Sequence, residues 1–125
     1  MRFARLTYLI AGVCGLAILL PQYFLEARIG RDFPPPITHP EYYYGFIGVA
    51  AAWQFAFIII SRDPMRYRPV MVPAIVEKLS FGVAMITLFT GDRLSAQILA
   101  AGLLDLMFGA LFIIAYLKLR KARLA

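Results

Sequence analysis

Polar residues divide the chain into four long apolar runs, which cover about residues 6–26, 41–61, 70–90 and 94–117. A helix needs about 20 mostly apolar residues to cross the hydrocarbon core of a bilayer, and each run reaches that length. Backbone groups left unpaired in lipid are costly, so each run predicts a helix. The pattern therefore predicts an all-α polytopic membrane protein, an antiparallel four-transmembrane-helix bundle that forms a single domain over residues 1–125.

Short connections rich in turn-forming residues separate the four runs. The first connection reads ARIGRDFPPPITHP, and its consecutive prolines predict a stiff, extended surface segment. The second reads SRDPMRYRP, in which an Asp-Pro turn signal is followed by a proline that suits the start of a helix. The third is only TGDR, so the third and fourth helices must be antiparallel neighbours.

The composition agrees with a membrane location. Hydrophobic residues make up 62% of the chain, and the mean hydropathy is +0.74, whereas a soluble domain is usually about 45–50% apolar. A chain of 125 residues has too much surface for its volume to hide that excess in water. The single cysteine, Cys14, excludes an intrachain disulfide and any multi-cysteine metal site.

The basic residues predict how the helices are oriented. With the N-terminus in the cytoplasm, the cytoplasmic side carries nine basic residues, Arg2, Arg5, Arg62, Arg66, Arg68, Lys118, Arg120, Lys121 and Arg123. The opposite side carries three, Arg28, Arg31 and Arg93. Because cytoplasmic loops are enriched in lysine and arginine, both termini are expected to be cytoplasmic. The formal charge of +6 lies in short flanks rather than along a stripe, which argues against nucleic-acid binding.

A layer of polar residues is expected near the middle of the membrane: Gln54, Glu77, Lys78 and Asp105. At about 1.5 Å of rise per residue, all four lie within roughly 5 Å of one another in depth. An unpaired charge at that depth costs about 2.5–3.5 kcal/mol on insertion scales. The charged members of the layer are therefore expected to pair.

The expected pair is Asp105 with Lys78. Small residues share the helical stripe of Asp105 and favour a close helix contact: Ala101, Gly102 and Gly109. Glu77 and Lys78 lie about 100° apart around one helix, so they are not expected to pair face to face. Glu77 is left for Gln54, Ser80, a tyrosine hydroxyl or a proton of its own.

Three interpretations of the polar layer stay open. A Lys–Asp pair between neighbouring helices can simply fix their register, because a buried ion pair is not by itself a sign of activity. Alternatively, Glu77 and Asp105 form a ligand or proton site. In the third interpretation, the layer contacts a partner subunit.

The outer ends of the first two runs carry six polar or aromatic residues: Gln22, His39, Glu41, Tyr42, Tyr43 and Tyr44. The lone histidine excludes a bis-histidine haem, and with Glu41 it gives too few ligands for a metal. The sequence thus predicts neither a metal site nor a cofactor. The tyrosines are typical of an interfacial aromatic belt, and the alternative is that all six residues rim a pocket open to the outer leaflet.

The second connection places Arg62, Arg66 and Arg68 around Tyr67. Basic residues beside a cytoplasmic helix end attract anionic lipid, at about 1 kcal/mol each. Docking of a partner protein is the alternative interpretation. The C-terminal KLRKARLA has the same two interpretations.

The layout resembles the small DoxX-like membrane proteins of bacteria, and the local match is Pro73-Ala74-Ile75-Val76-Glu77 in the third run. The resemblance implies four helices with both termini inside. It transfers no common activity and no functional residue, although some members resemble membrane subunits of quinone-linked oxidoreductases. Together with the short loops and the charge bias, it favours the inner (plasma) membrane of a bacterium.

The favoured function is that of a non-catalytic accessory protein or subunit, which binds lipid, quinone or a larger membrane partner. The absence of a Gly-rich phosphate loop, a Ser-His-Asp set and a CxxC pair from the sequence supports it. One alternative is a small proton-coupled transporter that acts as a homodimer. The other is a membrane enzyme that acts on a lipid-like substrate through a buried carboxylate.

Overall fold

The computed structural model describes the backbone of residues 1–124 and the side chains of residues 1–122. This described part contains no strand, and its α-helices are α1 (Arg2–Leu19), α2 (Glu26–Asp32), α3 (Pro40–Arg62), α4 (Met71–Thr90) and α5 (Ala96–Leu124). Short 3₁₀ segments follow α1 and precede α4, at Leu20–Phe24 and Arg68–Val70. The side chain of Arg123, one of the basic residues predicted to be cytoplasmic, lies outside the description.

The four predicted apolar helices are confirmed. The segments long and apolar enough to cross a membrane are Arg2–Phe24, Pro40–Arg62, Arg68–Thr90 and Ala96–Ala122. Large apolar side chains face outward along them, and Val49 and Val76 are 65% and 59% exposed. Soluble monomers rarely expose apolar surface to this extent, so the fold indicates a membrane protein.

The first apolar run is not one continuous α-helix. The α-helix ends at Leu19 and a 3₁₀ segment continues to Phe24. Pro21 lies in this segment and has no N–H to donate to the preceding turn. A 3₁₀ turn tolerates that loss at the end of a helix.

The first connection contains a helix that the sequence analysis did not predict. Helix α2 begins at Glu26 and ends at Asp32, before the three prolines. Glu26 lies in its first turn and Arg31 in its last, which suits the helix dipole. Gly30 lets the chain fold back closely, because a β-carbon there would come within 3.1 Å of the Pro36 Cα atom.

Neighbouring helices are antiparallel. Along α4 and α5, Lys78 faces Asp105, whereas Gly82, further along α4, faces the earlier residue Gly102. The turn between them is tight, and Asp92 adopts a φ of 57° there. Asp is one of the few residues that tolerate this left-handed conformation. We call the end of the bundle that holds α2 and this turn the α2 end. The opposite end, which holds both terminal segments, is the terminal end.

The helices form two closely packed pairs, α1 with α3 and α4 with α5. In the first pair, a β-carbon at Gly12 would come within 2.8 Å of the Gln54 carbonyl oxygen. In the second, a β-carbon at Gly82 would come within 2.9 Å of the Gly102 carbonyl oxygen. Such approaches need small residues at the interface. The predicted contact through Gly102 is therefore confirmed.

An aromatic cluster joins the two pairs at the terminal end: Tyr8, Phe57, Phe108 and Phe112. The rings of Tyr8 and Phe112 stack at 4.0 Å with an interplanar angle of 11°. Phe57 meets Phe112 edge-on at 5.0 Å. All four residues are buried, so the bundle is closed in this half. Towards the α2 end, open space lies between the two pairs.

Candidate functional site

The two helix pairs separate at a charged cluster formed by Glu77, Lys78 and Asp105. The Lys78 Nζ atom lies 3.3 Å from Asp105 Oδ1 and donates a hydrogen bond to it. Lys78 is only 3% exposed, so its amine stays inside the bundle instead of extending to the surface. The predicted pairing of Lys78 with Asp105 is confirmed.

The expectation that Glu77 does not pair with Lys78 was wrong. Its Oε2 atom lies 3.8 Å from Lys78 Nζ, because the four methylenes of lysine let the amine reach between both carboxylates despite the angle around the helix. Ser80 donates to the backbone carbonyl of Glu77 rather than to its carboxylate. Among the described residues, Glu77 Oε2 has no hydrogen-bond partner.

Two aromatic rings lie close to the Lys78 amine. Its Nζ atom lies 5.1 Å from the centre of the Phe57 ring and 5.7 Å from that of Phe108. A ring face attracts a cation, and more strongly where water is excluded. Gly109 gives room for the lysine stem, since a β-carbon there would come within 3.3 Å of the Lys78 Cβ atom.

Gln54 lies in the same layer, but among the described residues it makes no hydrogen bond to Glu77 or Asp105. Its Nε2 atom donates to the Ala50 carbonyl at 3.0 Å. Its Oε1 atom is buried without a partner within the described residues. Gly15 on α1 lies directly against this carboxamide, and a β-carbon there would overlap it.

All four residues of the predicted polar layer line one central cavity of about 120 Å³. The cavity lies between the two helix pairs, and most of its remaining lining is apolar. Phe46 of α3 and Phe81 of α4 form part of that lining, with ring centres 6.0 Å apart. Sequence depth alone therefore identified residues that share a cavity, including Gln54.

A gap between α3 and α4 adjoins the central cavity. This lateral gap of about 290 Å³ shares Phe46, Ala50, Glu77 and Phe81 with the cavity, and Trp53 also lines it. A second opening, of about 550 Å³, leads towards α2 and is lined there by hydrophobic residues, among them Ile29 and Phe33. The charged cluster thus lies beside two gaps whose linings are mostly apolar.

The six residues predicted at the outer ends of the first two runs fall into two groups. Three of them make contacts inside the bundle or with α2. Gln22 lines the central cavity. The Tyr43 hydroxyl donates to the Gln22 carbonyl at 2.6 Å, and the Tyr44 hydroxyl donates to Glu26 at 3.0 Å. These two tyrosines therefore tie α3 to the 3₁₀ segment after α1 and to α2.

The remaining rim residues lie on the surface. His39 Nδ1 and Glu41 Oε1 are 3.1 Å apart, and both side chains are exposed. Tyr42 is 71% exposed. Within residues 1–122, no group of three His, Cys, Asp or Glu side chains is placed to hold a metal ion.

The three arginines of the second connection also differ. Arg68 lies over the Tyr116 ring at 3.9 Å and donates to the Tyr116 carbonyl, so it fastens the connection to α5. Arg66 lies 5.5 Å from the centre of the Tyr67 ring and is exposed. Arg62 is exposed as well.

Sequence reasoning missed Gly15, Glu26 and the aromatic cluster. A glycine within the first apolar run was a usable signal for close packing, but it did not identify Gln54 as the neighbour. Glu26 was visible only as an acid at the end of the first run. Phe57 and Phe108 lie in long apolar runs, where hydrophobicity alone does not distinguish residues that face the core from residues that face outward.

The chain matches no protein-family model, and searches of curated proteins and of solved structures found no significant match. The functional interpretation therefore depends on the geometry of the cavity.

Proposed function

We propose that this protein is a non-catalytic accessory protein or subunit of the bacterial inner membrane that binds a lipid-soluble amphiphile in its central cavity. The observation that supports this most is the lateral gap between α3 and α4, because it adjoins the central cavity and Glu77 of the charged cluster lines both. A molecule dissolved in the bilayer would enter there with its polar head towards the cluster.

The lining of the cavity supports binding of an amphiphile. Ligand sites are mostly apolar and carry a few convergent polar groups that fix orientation. Here the polar groups meet at Glu77, Lys78 and Asp105, while Phe46 and Phe81 give an apolar wall. A volume of about 120 Å³ suits a small ring or a head group. The rest of the ligand would lie in the lateral gap.

The charge distribution supports a cytoplasmic location for both termini. Lys118 Nζ lies 4.5 Å from the Phe3 ring centre, so the two terminal segments share one end of the bundle. That end also holds the arginine-rich second connection, and it carries most of the basic residues. The positive-inside rule assigns such an end to the cytoplasm. The DoxX-like layout agrees with this orientation.

Cavity filling tests the proposed function. Ala50→Leu places extra atoms at a position that lines both the cavity and the lateral gap. Ala52→Leu makes the same change at an exposed position of the same helix and is the matched control. After mild purification, native mass spectrometry should detect a bound amphiphile on the wild-type protein and on Ala52→Leu, and much less on Ala50→Leu. Equal retention by both variants, or none by the wild type, would contradict the proposal.

Proton-coupled transport is a second candidate, and the make-up of the charged cluster favours it. Two carboxylates share one amine, so a proton can add to or leave the cluster without leaving an unpaired lysine. Such a transporter, reconstituted in liposomes, should move protons together with its ligand, and Glu77→Gln should abolish this flux without unfolding the protein.

A further inference from the structure

We propose that the central cavity selects an amphiphile whose head is a protonated amine, that is, a lipophilic cation. The proposal rests on the ligand-binding function above and adds the chemistry of the ligand's head. Three properties of the cavity lead to it: its charge, its unsatisfied acceptors and its aromatic wall.

The charged cluster has one more negative group than it can neutralise itself. Glu77 and Asp105 each bring a carboxylate, and Lys78 is the single cationic side chain in the part of the cavity lining that the structure describes. From the 3₁₀ segment after α1 and from α3, the polar side chains that line the cavity are the uncharged Gln22 and Gln54. Either a proton or a bound cation supplies the missing positive charge. A cationic ligand would take the place of the proton.

Hydrogen-bond donors are scarce in the cavity. Lys78 already donates to Asp105, and the Gln54 amide nitrogen donates to the backbone of its own helix. Gln54 Oε1 and Glu77 Oε2 are buried acceptors with no partner in the described structure. Gln54 is only 2% exposed, and it is one of the residues that line the cavity. A buried acceptor without a donor is costly, and an ammonium brings three N–H groups.

The aromatic wall suits a cation with an apolar body. The rings of Phe46 and Phe81 lie nearly parallel, with an interplanar angle of 21°, beside the charged cluster. Ring faces attract cations, most strongly away from water. An anionic head would instead meet two carboxylates in a medium of low dielectric constant. The cavity thus discriminates by charge as well as by shape.

Three small probes of similar size separate charge from apolar fit: 2-phenylethylammonium, 2-phenylethanol and phenylacetate. Trp53 is the only tryptophan of the chain and lines the lateral gap, so its fluorescence reports binding to the purified protein in detergent, and thermal stability gives a second measurement. We expect the ammonium probe to bind about tenfold more tightly than the alcohol, because charge-assisted hydrogen bonds are stronger than neutral ones. Phenylacetate should bind least.

Glu77→Gln tests whether the excess negative charge causes the preference. It removes one carboxylate while Lys78 keeps its bond to Asp105, so the variant should bind the alcohol and the ammonium probes almost equally. Equal binding of all three probes by the wild-type protein would overturn the cation proposal and leave the ligand-binding function intact. Binding of none would overturn both. A preference for the ammonium probe that persists in Glu77→Gln would also overturn the cation proposal. If this variant does not fold, the comparison of probes on the wild-type protein still decides.

Discussion

Lys78 on α4 lies 3.3 Å from Asp105 on α5 and 3.8 Å from Glu77 on its own helix. One amine therefore stands between two carboxylates. The three residues therefore differ in importance. Either carboxylate can pair with the amine if the other is lost, but no second amine can replace Lys78 in the cluster. If Asp105 is lost, Glu77 remains within reach of the amine.

The first prediction ranks substitutions in the charged cluster. Lys78→Met leaves two carboxylates without a counter-charge and should lower the free energy of unfolding by about 3–5 kcal/mol, as for other broken buried ion pairs. Asp105→Asn should cost less, and Glu77→Gln least. Unfolding in mixed detergent and denaturant measures the order. The shared-amine geometry would be refuted if Lys78→Met were no more destabilising than Glu77→Gln.

The second prediction concerns the glycine that faces Gln54. Gly15→Ala puts a β-carbon where the Gln54 carboxamide lies, so it should destabilise the protein by about 1–3 kcal/mol, as overpacking does. Gly45→Ala is the matched control, because a β-carbon there meets no atom of the described residues within 4 Å.

The thermal midpoints of the two variants in detergent give the comparison. Gly45→Ala should be neutral or slightly stabilising, since alanine favours a helix by about 1 kcal/mol over glycine. Shortening Gln54 to alanine in the Gly15→Ala background should recover stability. If the double variant is no better than Gly15→Ala, the clash lies elsewhere.

The third prediction concerns the attachment of α2. The Tyr44 hydroxyl donates to the Glu26 carboxylate, and a hydrogen bond to a charged group is stronger than one between neutral groups. Tyr44→Phe should therefore increase hydrogen exchange of the backbone amides in Glu26–Asp32. Tyr42→Phe alters a side chain that is 71% exposed and serves as the control. Unchanged exchange in Tyr44→Phe would show that other contacts hold α2.

The fourth prediction tests the orientation in the membrane. In a Cys14→Ala background, Ser95→Cys at the α2 end should react with an impermeant thiol reagent added outside intact cells. Arg66→Cys at the terminal end should react only after the membrane is permeabilised. Both positions are exposed, so access to solvent does not separate them. The opposite labelling pattern would invert the proposed topology.

The four helices and the Lys78–Asp105 pair were predictable because they follow from the high cost of polar groups in lipid. That cost fixes the lengths of the apolar segments and forces opposite charges together. The contact of Glu77 with Lys78 was not predictable from helical angles, since a long flexible side chain reaches past the face on which it begins. Helix α2 is too short to show a periodic pattern. The contact between Gly15 and Gln54 depends on how two helices rotate against each other, which the composition of either one does not specify.

The stacked rings of Tyr8 and Phe112 make the interior a blind vestibule rather than a through-going pore. A guest that reaches the Lys78 amine meets a wall beyond it and has to leave through the lateral gap or towards α2. Capture and release would then take place on one side of the bilayer, and carrying cargo across would require those rings to part.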